Sequence, residues 1–214
     1  MDRHMAKKIV FPVKDPGVMR TLKLGEEIYI DGYIIGCRDA SLMRMFDEKK
    51  TPRMSLKDGA ILHTAPGVKK VGASYEKVCI GTTTSTRMNR FTSGLLEEYD
   101  VKAIIGKGGL LQDSVDALKK FGACYLAITG GAAALETAQI EVIEEVEWED
   151  LMPECLWRFR VKDFGPLFVA IDAHGRSLYR AVSIETQERL AELIQSIEHR
   201  TPKTEHRHIR RHDR

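Results

Sequence analysis

Lys77-Val78-Cys79-Ile80-Gly81-Thr82-Thr83-Thr84-Ser85-Thr86-Arg87-Met88-Asn89 is the stretch on which the reading of this chain turns. A short apolar strand gives way to small and hydroxyl residues, then to a single arginine at the mouth of a helix-like segment. Strand-to-helix joints of this kind build α/β folds. The joint also gathers unpaired backbone N–H groups, hydroxyl donors and the positive end of a helix dipole. A small carboxylate or phosphate suits such a turn, and Arg87 adds a planar, bidentate cation. The same residues would also serve as a plain threonine-rich helix cap.

Two further strand ends share the design. Ala103-Ile104-Ile105 is continuously apolar, as expected of a strand buried on both faces, and ends in Gly106-Lys107-Gly108-Gly109. Cys124 to Ile128 ends in Thr129-Gly130-Gly131, followed by a small-residue helix over 132–139. Ligands of open α/β sheets bind beyond the carboxyl ends of strands. Three such turns side by side would form a polar cradle, with Arg87 and Lys107 supplying positive charge. Glycines also simply permit tight turns. No nucleotide signature is present: residues 106–109 lack the remaining glycine and the Ser or Thr of a P-loop, and no G-x-G-x-x-G opens a helix. A fourth element, Gly36-Cys37-Arg38-Asp39-Ala40-Ser41, opens a helix over 39–49 with Asp39 as its N-cap. Arg38 then lies at the positive helix end, which is unfavourable for a cation unless an anion or carboxylate sits beside it.

Around these turns the sequence predicts strands at 8–13, at 60–64 (ending at Pro66-Gly67), at 140–148 and at 167–172, and two strands within 24–36 joined by an Asp31-Gly32 turn. Helices are expected at 89–99, 114–121 and 185–199, with Leu190, Leu193, Ile194 and Ile197 at helical spacing in the last. Strands dominate the first third and alternate with helices in the middle, which favours an α/β fold with extra β structure. Residues 6–199 read as one domain. The basic, His-rich stretch 200–214 reads as a disordered tail, and its lack of aromatics argues against nucleic-acid binding.

The net charge of +2 selects no partner class. There is no apolar run of membrane-spanning length and no apolar signal region behind the N-terminus, so the chain is placed in the cytoplasm. Cys37, Cys79, Cys124 and Cys155 are far apart and form no C-x-x-C pair, which disfavours a zinc ribbon or a self-contained iron–sulfur site.

Taken in order, these motifs resemble the β-type domain of the class I iron–sulfur fumarase and L(+)-tartrate dehydratase family. The residues are Cys37-Arg38-Asp39-Ala40, His63-Thr64-Ala65-Pro66, Gly81 to Met88, Gly106-Lys107-Gly108-Gly109, Gly130-Gly131-Ala132-Ala133-Ala134 and Lys162-Asp163-Phe164-Gly165-Pro166. The likeness spans residues 8–180. It departs at Leu42, where the family pattern has histidine, at Thr82, where it has proline, and at Ala65, where it has glycine.

The resemblance implies a swivelling β/β/α three-layer domain and a cluster-bearing α subunit in a heterodimer or heterotetramer. A four-iron four-sulfur cluster would be held by that partner and act there as Lewis acid; this chain would supply no metal ligand. The implied reaction is reversible hydration of fumarate to L-malate, with L(+)-tartrate dehydration as the alternative and a non-catalytic carboxylate-binding assembly module as a third reading. By the resemblance, Arg38, Arg87 and Lys107 clamp the dicarboxylate, Thr83 and Thr84 hydrogen-bond it, and Thr83 is a candidate base at C3. Arg87 and Lys107 join Thr83 as the catalytic set, because negative charge grows on a substrate carboxylate during the reaction. His63 is placed among the substrate-binding residues, in partial compensation for Leu42.

Overall fold

A computed structural model describes residues 7–200 of the chain. The described residues divide into two compact units, one ending at Leu178 and one beginning at Tyr179. In chain order the elements are β1 (Lys7–Phe11), β2 (Glu27–Cys37), α1 (Asp39–Phe46), β3 (Ala60–His63), β4 (Gly67–Val71), β5 (Ser74–Cys79), α2 (Thr92–Glu98), β6 (Ala103–Gly106), α3 (Gln112–Phe121), β7 (Cys124–Ile128), α4 (Ala133–Gln139), β8 (Ile140–Glu147), β9 (Leu156–Ile171) and α5 (Leu178–Arg200). The second unit, where described, is α5 beyond Leu178; this helix starts a full two turns before the expected Glu185. Of the expected tail, 201–214 lies outside the described residues.

The first unit is mixed α/β. Seven strands run in the order β1-β2-β3-β6-β7-β9-β8, and β9 also pairs antiparallel with β2, so that β2, β3, β6, β7 and β9 close into a ring. The strands β2, β3, β6 and β7 are parallel neighbours. Alternation then sorts each strand between two cores. Ala60, Leu62, Ala103, Ile105, Cys124 and Leu126 face an all-β interior with Trp157, Phe159 and Phe164. Ile61, Ile104 and Tyr125 face the helices, packing with Leu42 and Met45 of α1, Leu95 and Leu96 of α2, and Val115 and Leu118 of α3. The short strands β3 and β6 are buried at every position, which accounts for their unbroken apolar sequence.

The structure departs from the sequence reading in four places. The Asp31-Gly32 pair does not turn the chain; β2 runs through it as one strand of 11 residues. Both its edges are occupied, by β1 with Phe11 opposite Gly32 and by β9 with a register shift between Ile30 and Gly32, and this outweighs the local turn preference. Lys77 to Cys79 is the tail of a longer strand, β5, which forms a hairpin with β4, and Ile80 lies just past its end. Helix 89–99 is a 3-10 segment, Ser85–Phe91, followed by α2. The last strand of the ring is 16 residues long and carries Phe164-Gly165-Pro166 in its middle, where Gly and Pro read as breakers.

Gly32 shows how tightly the ring is built. Its φ is +95°, and a Cβ there would lie 2.1 Å from the Phe11 carbonyl oxygen. Gly32→Ala is therefore expected to destabilise the fold by roughly 2–3 kcal/mol, seen as a lower urea midpoint with unchanged slope. A midpoint equal to that of the wild type would show that β1 yields freely.

Candidate functional site

The site forms where four parallel strands end. Cys37 and His63 are register partners at the ends of β2 and β3, and Gly106 and Ala127 are partners near the ends of β6 and β7. The residues that follow, Arg38, Thr64, Lys107 and the Thr129–Gly131 turn, therefore emerge on one side of the sheet.

The Gly81–Ser85 turn is stitched across these ends. Thr82 bridges to Thr64 and Thr84 bridges to Lys107. The Thr83 N–H donates to the His63 carbonyl at 2.8 Å and the Ser85 N–H to the Lys107 carbonyl at 3.0 Å. The Thr64 hydroxyl donates to Gly81 O at 2.8 Å, and the Thr86 hydroxyl to Gly109 O at 2.7 Å. Beneath the turn, the buried Ser85 Oγ lies 3.0 Å from His63 Nδ1 and 3.0 Å from the Tyr125 hydroxyl. Tyr125 in turn reaches the Gly108 carbonyl at 2.9 Å. A Cβ on Gly106 would sit 1.8 Å from Ser85 Oγ, so this glycine makes room for the turn. A Cβ on Gly130 would lie 3.9 Å from the Lys107 stem, so the third turn runs beside this lysine.

The cations are organised by carboxylates. Asp39 is the first residue of α1, not its cap as the sequence suggested; Arg38 precedes the helix, and its N–H donates to Ser41 Oγ. The Asp39 carboxylate is thus free to pair with Arg38 Nε at 3.0 Å and with the Arg87 guanidinium. Burial works to raise the Asp39 pKa, but the hydrogen bonds from Arg87 and Arg38 win and hold it below the usual carboxylate value. Glu154 adds a second tie, accepting from Arg38 at 3.1 Å and from the Ala40 N–H at 2.7 Å. Arg44 of α1 grips Asp150 with both terminal nitrogens, at 2.8 and 2.7 Å.

Arg38 and Lys107 are half-buried, and Arg87 and Thr84 are exposed. The backbone links bring Thr83, Thr84 and Lys107 together, and Asp39 joins Arg38 to Arg87. His63 differs from the rest: it is fully buried, its Nδ1 faces Ser85, and its Nε2 has no hydrogen-bond partner among the described residues. Its ring braces the turn from below.

A sequence profile of the fumarase C-terminus matches residues 5–182. The chain belongs to the fumarase C-terminal family. It is 39% identical over 175 residues to the L(+)-tartrate dehydratase subunit beta of Escherichia coli K12, covering 81% of this chain and 87% of that one. A Shigella boydii protein of the same name matches at the same 39% identity and the same coverage. A Geobacillus stearothermophilus protein provisionally named class I fumarate hydratase is 32% identical over 181 residues, 84% of this chain but 35% of that longer one.

Within this family frame, Arg38, Thr83, Thr84, Arg87 and Lys107 carry local sequence signatures, whereas the residues that hold them do not. Ser85, Tyr125, Glu154 and the anionic role of Asp39 have no local signature, because each acts across the fold. Glu136 was also overlooked, though a lone carboxyl in a small-residue helix was a visible signal. The family departure Leu42 is a core residue, fully buried against the helix-side sheet face.

Burial pushes the His63 pKa down to about 4, against a weaker upward pull from Asp39. The folded value lies below the unfolded one, so the folded state binds fewer protons between them. Stability is then full above about pH 6.5 and is lost as pH falls toward 4, by on the order of 3 kcal/mol. His63→Gln is expected to flatten this limb in urea unfolding between those pH values. An acid limb of unchanged steepness in the variant would rule His63 out as its source.

Proposed function

We propose that this chain is the β-type subunit of a hydro-lyase acting on a four-carbon dicarboxylate, and that it builds half of the active site. The favoured reaction is reversible hydration of fumarate to L-malate. Dehydration of L(+)-tartrate is the second reading, favoured by the 39% identity that extends over 87% of the E. coli tartrate dehydratase subunit. The observation that carries the proposal is the gathering of Arg38, Arg87, Lys107 and the Thr83-Thr84 pair at the ends of parallel strands.

Each residue has a role that its chemistry supports. Arg38 and Arg87 offer guanidinium forks to one carboxylate, and Lys107 offers a point charge to the other. Thr83 and Thr84 donate hydrogen bonds, with Thr83 the candidate base at C3. Preorganised cations stabilise the carboxylate that gains negative charge in the transition state more than they stabilise the substrate. The Asp39–Arg87 contact does not stand in the way. Arg87 is 49% exposed, and an ion pair this exposed is worth at most about 1 kcal/mol, so a bidentate substrate carboxylate can compete for the arginine.

Among the described residues, no three His, Cys, Asp or Glu side chains converge in a metal-binding arrangement. Cys37, Cys124 and Cys155 are separately buried thiols whose pKa values burial raises, a poor donor set for a cluster. We therefore assign the iron–sulfur cluster to a partner α subunit, in a heterodimer or heterotetramer, and read the two-core unit as the swivelling β/β/α three-layer domain. No helix among the described residues is long and apolar enough to cross a membrane.

The test is turnover of fumarate and of L(+)-tartrate by the chain assembled anaerobically with a cluster-bearing α subunit. Arg87→Ala and Lys107→Ala should each lower kcat/KM by about 100-fold or more while leaving melting temperature and assembly intact. Wild-type rates in either variant would remove that residue from the site. The ratio of the two substrates' kcat/KM values separates the two readings.

A further inference from the structure

Helix α4 inverts the usual burial of its side chains. Leu135 is 47% exposed, whereas Glu136 is 1% exposed. The inversion follows from what the helix packs against. Ala133, Glu136 and Thr137 share one face, and each meets one residue of the strand end before the Thr83-Thr84 pair. Thr137 Oγ1 accepts the Ile80 N–H at 2.7 Å. A Cβ on Gly81 would come within 2.8 Å of Ala133 Cβ. Glu136 lies on the same face, close enough to Thr82 for that residue to pull the pKa of its carboxyl down. At its far end the helix is pinned by Gln139, whose side-chain amide bonds the Gly165 carbonyl at 2.7 Å and accepts its N–H at 3.1 Å.

One oxygen of Glu136, Oε2, is buried without a hydrogen-bond partner among the described residues. An ionised carboxylate pays heavily for such an oxygen, whereas a proton on it removes most of the cost. Burial accordingly pushes the Glu136 pKa up to about 7, against the downward pull of Thr82 and of the Lys107 charge. The other charged groups around α4 have their own partners. Lys77 of β5 donates to the Ala138 and Ile140 carbonyls, and Glu141 of β8 pairs with Arg160 of β9.

We propose that Glu136, buried on the α4 face that packs against Ile80 and Gly81, is a positioning residue of the carboxylate site: its neutral carboxyl leaves the Lys107 ammonium to the substrate, whereas its ionised form competes with the substrate for that ammonium. This rests on the reading of Thr83, Thr84 and Lys107 as substrate-binding residues. It adds a proton-controlled step to that site: the carboxylate ligand binds best while Glu136 holds its proton.

The probe is succinate, which binds as a dicarboxylate but has no bond to hydrate. Its affinity is measured by calorimetry on the full chain, alone and assembled with the cluster-bearing subunit. From about pH 6.5 to about pH 8.5 the wild-type affinity should fall about five-fold, the size expected for one added charge close to Lys107. Glu136→Gln keeps the shape and cannot ionise, so its affinity should stay at the low-pH level throughout. Thr82→Val removes the hydroxyl that pulls the Glu136 pKa down, and should move the wild-type transition to higher pH. Parallel pH profiles in the wild type and both variants overturn the proposal and leave the hydro-lyase reading standing. A uniform loss of affinity in Glu136→Gln with the slope retained marks Glu136 as merely structural and also overturns it. No succinate binding by the wild type at any pH, in either form, overturns the site reading itself and this proposal with it.

Discussion

The antiparallel pairing of β2 with β9 is the constraint on which the rest depends. Without it the strands would form an open sheet with two exposed edges. With it, β2, β3, β6, β7 and β9 enclose an apolar interior, and their outer faces become the floor for α1, α2 and α3. Closure also fixes the angular placement of four parallel strand ends. A residue one step beyond each end then has a defined neighbour, so Thr64 and Lys107 meet the Gly81–Ser85 turn, and Arg38 meets Arg87 through Asp39, without long loops to position them. The geometry of the site is thus set by hydrogen-bond ladders, which are stiffer than loop contacts.

Much of this was legible in the sequence. The continuous apolar runs at 103–105 and 124–128 are strands, and the ring of glycine-rich strand ends is where the polar groups gather. What could not be read locally is what neighbours impose. Asp31-Gly32 has the composition of a turn, but partners on both edges hold it in a strand. Gly165-Pro166 looks like a break, yet Gln139 satisfies the backbone there and the strand continues. The site divides the same way. Arg38, Arg87 and Lys107 announce themselves by charge beside glycine and threonine, whereas Ser85, Tyr125 and Glu154 matter only because the fold brings them under or beside those cations.

The polar layer beneath the turn is held by few groups, each with a defined task. His63 and Tyr125 meet at one hydroxyl, that of Ser85. The room for that hydroxyl exists because residue 106 has no side chain. Buried polar networks of this kind specify one arrangement when satisfied and are costly when broken. Two buried atoms without a hydrogen-bond partner among the described residues, His63 Nε2 and Glu136 Oε2, are both in residues whose neutral form burial favours. The floor beneath the turn is therefore kept low in charge, while the carboxylates Asp39 and Glu154 pair with the cations beside it.

The two carboxylates that bind α1 from the segment ahead of β9 have a mechanical consequence. Asp150 grips Arg44 near one end of the helix, and Glu154 holds the Ala40 N–H and Arg38 at the other. A lever clamped at two points cannot pivot about either. The helix and the 149–154 segment are thereby coupled as one plate, and Arg38 is mounted on the plate instead of swinging on its own side chain.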